Sequence, residues 1–364
     1  MTIKNITNYI EELASLHYAE DFDNVGLLIG NYQTEVTGVL VTLDTLEETV
    51  DEAIAKNCNL IVSFHPIIFG GLKKINGNNY VERVVLKAIQ NNIAIYATHT
   101  ALDNSKNGVS AKMCEVLGLI NIKILIPKKG IIKKLTTYVP VDKASTLKEK
   151  LFEAGAGSLG NYDLCSFDVR GNSSFRGNEN SNPTYGKKGE LTEREETKIS
   201  VVFESKNESA ILKALKGNHE YEEVAYEIVT TENVYQNIGM GMIGEFETEM
   251  DEKDFLAYLK KTMKTDCVRH SALINKKIKK VAVLGGSGSF AISNAKKAGA
   301  DAYISADFKY HEFFKAENSI LLADIGHYES EQFTKNLLVD YLTKKFSNFA
   351  VILSEKSTNP IYYI

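Results

Sequence analysis

The sequence predicts an α/β protein: two α/β halves form one domain, and an α+β domain of ferredoxin-like βαββαβ order is inserted between them. Three observations predict this. Short apolar runs alternate with helical segments from Gly38 to Asn121; the same rhythm returns after Lys280; and the stretch between follows a different order. At 364 residues the chain also exceeds what one hydrophobic core usually serves.

In the first half, "GVLVTLD" and "NLIVSFHP" have strand length and flank the helical "TLEETVDEAIAKN"; "IAIYATH" follows a second helix around "YVERVVLKAIQNN". Near-continuous apolar strands joined by helices imply a parallel sheet covered on both faces. The last part repeats the pattern with "KVAVLGG", a helix through "FAISNAKKAG", "DAYISAD", a short helix near "YHEFFK", "SILLADIGH", the helix "ESEQFTKNLLVDYLTKKF" and the strand "FAVILSE". On that helix the stripe Phe333, Leu337, Tyr341 and Leu342 is expected in the core. The middle, residues 131–233, runs strand "KKLTTYVPV", helix "ASTLKEKLFEAG", strand "NYDLCSFDVRG", a Gly/Asn/Ser-rich loop, strand "KISVVFES", helix "ESAILKALKGN" and strand "EVAYEIVTT". That is the split βαβ order of a ferredoxin-like domain, inserted into a discontinuous domain of residues 1–130 and 234–364.

Composition narrows the function. With 44% hydrophobic and 24% charged residues and a net charge of −5, nothing suggests a nucleic-acid partner. No stretch reaches the ~18 apolar residues of a membrane span, and the first residues carry acidic groups at amphipathic spacing, so a cytoplasmic location is expected. The four cysteines stand far apart without C-x-x-C, which disfavours a disulfide framework or a thiolate zinc site.

Four of the seven histidines follow directly on predicted strands: His65, His99 with Asp103 four residues on, His311 after Asp307, and His327 with Glu331 four residues on. In open parallel sheets, ligands bind beyond the carboxyl ends of the strands, so these segments should converge there. A single histidine after a strand is usually a loop residue, but four, two with an H-x-x-x-acid spacing, point to a metal site. Imidazole with carboxylate suits Zn²⁺, Mn²⁺, Fe²⁺ or Co²⁺ and disfavours Ca²⁺. His99 or His311, if close and unligated, would carry protons. Asp23 and Asn24 in "DNVG" are either a turn or polar groups reaching the cavity, and Lys309 and Tyr310 either substrate contacts or surface residues. "VAVLGGSGSFA" fits G-x-G-x-x-A through Gly286, Gly288 and Ala291, with Asp307 ending the next strand. It reads as a tight turn, a phosphate cradle at the Ser287 and Ser289 amides, or a weak dinucleotide match. There is no G-x-x-x-x-G-K-[ST] string.

"DFDNVGLLIG", "HPIIFGGLKKI", "THTALDNSKNGV", "ADFKYHE" and "DIGHYESE", in that order, resemble the signature blocks of the family named for the yeast interacting factor three of NGG-one, often labelled GTP cyclohydrolase one, type two. "EAGAGSLGNYDLCSF" and "HEYEEVAYEI" resemble strings of the PII- and CutA-like domain carried by its longer bacterial members. The resemblance implies a toroidal homohexamer, a trimer of dimers, with two divalent metal ions per subunit, zinc first among them, facing an internal cavity. It puts ligands at His65, Asp103, His327 and Glu331, with His99 a ligand or close neighbour and Glu331 bridging. It further implies a hydrolase acting on a nucleotide-like or phosphate-bearing small molecule; the alternative is a non-catalytic metal-binding or ligand-sensing scaffold. The chain departs from the family at Phe64, which stands where the first histidine of "HHP" is usual, so the second metal lacks a ligand there.

Overall fold

The computed structural model describes residues 1–158 and 160–364; Leu159, inside the string "EAGAGSLGNYDLCSF", lies outside the described residues. The chain divides into two compact units, Met1–Pro127 with Gln236–Ile364, and Lys128–Tyr235. The first break falls at the end of strand Ile120–Lys128, slightly before the first boundary read from the order of strands and helices, and the second break slightly after the second boundary.

The larger unit contains two sheets. The first has the order Gly26–Ile29, Ala94–Ala97, Leu60–Ser63, Val39–Thr42, Val351–Leu353. All neighbours are parallel except the first pair, an antiparallel edge. The three central strands are buried at every position, as expected for a sheet covered on both faces. The second sheet has the order Arg269–His270, Leu321–Asp324, Ala302–Ala306, Lys277–Ser287, Tyr235–Asp251, Ile120–Lys128. Its three inner strands are parallel, while Arg269–His270 and Tyr235–Asp251 pair antiparallel with their neighbours. These antiparallel strands are a departure from the expected purely parallel sheets: Tyr235–Asp251 follows strand Tyr226–Thr230 with no helix between, and Arg269–His270 follows helix Glu252–Thr262 and so runs parallel to Tyr235–Asp251, against the three inner strands.

Two cores show how the helices attach. Ile3, Ile6 and Ile10 lie on one face of helix Ile3–Leu13 and pack with Val39, Val62, Phe64 and Tyr96 of the first sheet. Phe255 and Leu259 of helix Glu252–Thr262 pack with Ile278, Val281 and Ile304 of the second. The long C-terminal helix read from the sequence is two helices, His327–Glu331 and Thr334–Lys345. The break turns the apolar face, so Leu338 and Leu342 are the fully buried residues, whereas Phe333, Leu337 and Tyr341 are only partly covered.

The inserted unit has one antiparallel sheet in the order Ser166–Phe175, Thr192–Glu204, Ile132–Pro140, Tyr226–Thr230. Numbered along the unit this is 2-3-1-4, the ferredoxin-like arrangement, with helices Ala144–Glu153 and Glu208–Asn218 supplying Leu147, Leu151, Ile211 and Leu215 to its own core. Strand Ser166–Phe175 runs into the "GNSSF" assigned to the loop, because Thr192–Glu204 is long enough to pair with all of it. Among the described residues no helix is long and apolar enough to cross a membrane.

Candidate metal centre

The parallel strands of both sheets deliver their next residues to one place. Leu60–Ser63 is followed by Phe64 and His65, whose amides continue the ladder to the carbonyls of Thr42 and Leu43. Ala94–Ala97 is followed by His99, whose amide donates to the Phe64 carbonyl and whose φ of +22° is unusual for a non-glycine residue. Leu321–Asp324 ends at Gly326, whose φ of +92° makes the sharp turn that starts helix His327–Glu331. A β-carbon there would come within 2.2 Å of Glu329 Oε2.

His65, His327 and Glu331 form a cluster in which one donor atom of each lies within 4.8 Å of the others. Glu331 Oε2 stands 3.2 Å from His65 Nε2 and 3.3 Å from His327 Nε2. This oxygen is buried, yet neither approach has hydrogen-bond geometry and it accepts no hydrogen bond among the described residues. The His99 ring lies 5.3 Å from that of His65. Each histidine is held from behind by a carboxylate at Nδ1: His65 by Asp44 at 2.8 Å, His99 by Asp23 at 2.8 Å and His327 by Asp307 at 2.7 Å. A carboxylate at Nδ1 fixes the proton there and leaves Nε2 with its lone pair, the arrangement of metal-ligating histidines. Thr358, in the C-terminal segment, hydrogen-bonds the other oxygen of Asp44.

The electrostatics point the same way. Burial opposes the charged form of His65, but Asp44 and Glu331 outweigh it and raise the imidazole to about 10. Asp307 and Glu331 likewise overcome burial at His327 and push it up to about 11. Burial alone would raise Glu331, yet the two imidazoles bring it down to about 2. Asp103 is pushed well above the usual carboxylate range, first by burial and then by the Glu331 charge. Without a cation, two imidazole protons supply the positive charge these carboxylates demand; a divalent ion would replace them. The donor set of neutral imidazole and carboxylate therefore fits Zn²⁺ or a similar ion.

Glycines allow Glu331 its position. A β-carbon on Gly286 would come within 2.4 Å of Glu331 Oε1, and one on Gly285 within 3.3 Å of its Cγ. The Gly286 amide donates to Ser330 Oγ at 2.8 Å, and a β-carbon on Gly288 would meet Ser305 Oγ at 2.0 Å. The G-x-G-x-x-A string is thus explained by close packing behind the site, and Asp307, the acid that would contact a ribose, is bound to His327.

Several residues read from the sequence have other positions. The Asp23 side chain is fully buried, with one oxygen on His99 and the other accepting from the Thr100 amide and hydroxyl. These bonds lower its pKa against the opposing effect of burial. Asn24 donates to the Ile68 carbonyl and pins the loop after His65. His311 is exposed, its ring against Tyr310 and Phe314, and Lys309 is exposed at the start of the same 3-10 turn, its amide on Glu312. Neither belongs to the cluster. Asp44 escaped sequence reasoning, although it ends "GVLVTLD" as the histidines end their own strands. Phe64 is fully buried, with its ring 5.6 Å from that of His99.

The family model described as Duf34/NIF3 (NGG1p interacting factor 3) matches residues 1–360. A Bacillus subtilis protein named GTP cyclohydrolase 1 type 2 homolog is 35% identical over 99% of this chain and 98% of its own length. A Staphylococcus aureus protein of the same name is 33% identical over all of both. Among solved structures, a Bacillus cereus protein related to NIF3 is 34% identical, with a TM-score of 0.84 over 100% of this chain and 99% of the other. A Staphylococcus aureus crystal structure is 32% identical, with a TM-score of 0.80 over 100% and 99%. With its fold shared end to end and a model of the family matching nearly every residue, the chain belongs to the Duf34/NIF3 (NGG1p interacting factor 3) family.

Proposed function

We propose that the protein is a metal-dependent hydrolase with a dinuclear centre, acting on a nucleotide-like or phosphate-bearing small molecule. The observation that carries this reading is Glu331 Oε2, buried without a hydrogen bond between two imidazole nitrogens. A carboxylate so situated suits a bridging ligand. His65 and Asp103 would complete one site, and His327 with His99 the other. Zn²⁺ fits best, with Mn²⁺, Fe²⁺ or Co²⁺ as substitutes. Such an ion supplies Lewis acidity and makes a water it holds acidic near neutral pH.

The chain's own residues do the rest. Asp44, Asp23 and Asp307 hold the imidazoles in one tautomer and orientation. His99, if unligated, would offer the lone pair of Nε2, the nitrogen that Asp23 leaves free, to a proton in transfer. Phe69, half-exposed with its ring 6.2 Å from His99, and exposed Phe22, 6.4 Å from Phe69, offer aromatic surface for a flat base. On the other side, a recess of about 250 Å³ is lined by His327, Asp307, Arg269 and Tyr363. The Arg269 guanidinium is anchored through Nη2 to Asp324 and the Phe308 carbonyl, which leaves its remaining donors for a phosphate. The relatives' name supports GTP-like substrates as the first to try.

A cytoplasmic homohexamer is part of the proposal. A non-catalytic scaffold is favoured by one observation, Phe64 at a position that donates nothing to a cation. The test is metal analysis of protein purified without chelator, then a hydrolase screen over nucleotides and phosphate esters with Zn²⁺ or Mn²⁺. Bound metal with hydrolysis lost in Glu331→Gln supports the enzyme; bound metal with no turnover of any compound supports the scaffold.

A further inference from the structure

The inserted unit contains a cavity of its own, of about 700 Å³, within the size range of small-molecule sites. It opens between the end of strand Ser166–Phe175, the Gly/Asn/Ser-rich loop and residues 221–225. The loop is tied down rather than free. The Asn182 amide donates to Glu222 Oε2 at 2.7 Å, Thr184 Oγ1 to the Glu220 carbonyl at 2.9 Å, and the Gly189 amide to the Gly177 carbonyl at 2.8 Å.

The lining has a definite chemistry. Phe175 and Tyr185 lie 6.4 Å and 6.0 Å from the ring of Tyr221, so three aromatic side chains meet around the space. Glu196 lines it, 5% exposed, with Oε1 accepting a hydrogen bond from the Tyr221 hydroxyl. A carboxylate taken out of water needs a counter-charge. The ionisable groups lining the cavity are Glu196, Glu222 and Glu223 against Arg176, an excess of negative charge. Two cations stand close by without lining the cavity: Arg194 lies over the Tyr185 ring at 3.6 Å, with Nη1 buried and without a hydrogen bond among the described residues, and Lys143 pairs with Glu220 at 2.8 Å.

We propose that this cavity binds an organic cation, a protonated amine or quaternary ammonium on an apolar body, with the charge against Glu196 and the aromatic rings. Aromatic faces attract cations and accept apolar carbon equally well, whereas the carboxylates disfavour phosphate-bearing ligands. The site is independent of the metal centre, and its occupancy does not rest on the proposed hydrolase activity.

Calorimetric titration of the full chain tests it with three probes: benzyltrimethylammonium, the neutral benzyl alcohol and the anionic adenosine monophosphate. The ammonium should bind at least ~10-fold more tightly than either of the others, and Glu196→Gln, which keeps a partner for Tyr221, should weaken it by about 10-fold. Phe175→Leu should weaken it as well while leaving the Glu196–Tyr221 pair intact, so the outcome is readable even if Glu196→Gln loosens the unit. No detectable ammonium binding, equal binding of either other probe, or unchanged affinity in both variants would overturn the proposal.

Discussion

Asp23 and His99, separated by 76 positions in the chain, meet at 2.8 Å, and the second oxygen of Asp23 is taken by Thr100. An acid that the sequence offers as a substrate contact is thus the support of an imidazole. Asp23→Ala is expected to leave the fold intact and to weaken cation binding at the His99 side by ~10- to 100-fold, the usual cost of removing such a support. Calorimetric titration of metal-free protein with Zn²⁺ reads the change; two unaltered affinities would refute the role.

Glu331→Gln keeps the shape of the side chain and removes its charge. The expected outcome is loss of bound metal in elemental analysis with a native-like circular dichroism spectrum. Metal content equal to wild type would remove Glu331 from the ligand set.

Proton linkage gives a pH test. In the cation-free protein His65 titrates at about 10 and His327 at about 11, so both carry protons at neutral pH that a cation must displace. Affinity should therefore rise from pH 6 to pH 9, with protons released on binding, measurable as a dependence of the calorimetric heat on buffer ionisation enthalpy. For the cation-free fold the sign is reversed. These raised values contribute stability that is complete below the ordinary histidine pKa, near 6.5, and lost as pH climbs through 10 and 11. Glu331, lowered to about 2, contributes above about 4.5 and loses its contribution as pH falls through 2. Urea denaturation of metal-free protein should show stability declining from pH 7 to pH 10, and metal should flatten that decline.

Phe64→His tests the departure from the family pattern. With the Phe64 ring 5.6 Å from the His99 ring, an imidazole there is near enough to serve the second cation. Affinity at that site should rise by ~10- to 100-fold. Because Phe64 is fully buried, the metal-free protein should lose roughly 1–3 kcal/mol for the buried polar group. Titration and urea denaturation read the two effects separately, and an unchanged second affinity would mean that the position is not a ligand position.

Excising Lys128–Tyr235 should leave a folded metal-binding unit. Strands Ile120–Lys128 and Tyr235–Asp251 are hydrogen-bonded neighbours, so Pro127 and Gln236 can be joined by a short turn, and the inserted unit keeps its own core. An insoluble product, or one without metal despite a native-like spectrum, would count against the boundary.

How far the sequence could be read depended on whether a signal was local. His65, His99 and His327 were legible because each ends an apolar run, and topology then brings the ends of parallel strands together. Glu331 was legible through its i, i+4 spacing from His327. The roles of Asp23 and Asp44 were not, because carboxylates pair with histidines only through tertiary packing that has no local pattern. His311 shares the strand-end position but misses the cluster, since the 3-10 turn it sits on leaves it exposed against Tyr310 and Phe314. The ferredoxin-like order was legible from its alternation of periods, yet the reach of Ser166–Phe175 into a glycine-rich stretch depended on the length of its partner strand.

The C-terminal segment has a consequence for how the protein is made. Val351–Leu353 forms the edge of the first sheet, and Thr358 holds the acid that orients His65, so the support of that histidine is completed by residues translated long after it. A chain still in the exit tunnel lacks that support, and ribosome-bound chains stalled before Val351 should retain less Zn²⁺ than released ones. Uptake of a cation would then wait on Thr358, and incomplete copies of the protein would be spared a half-built centre.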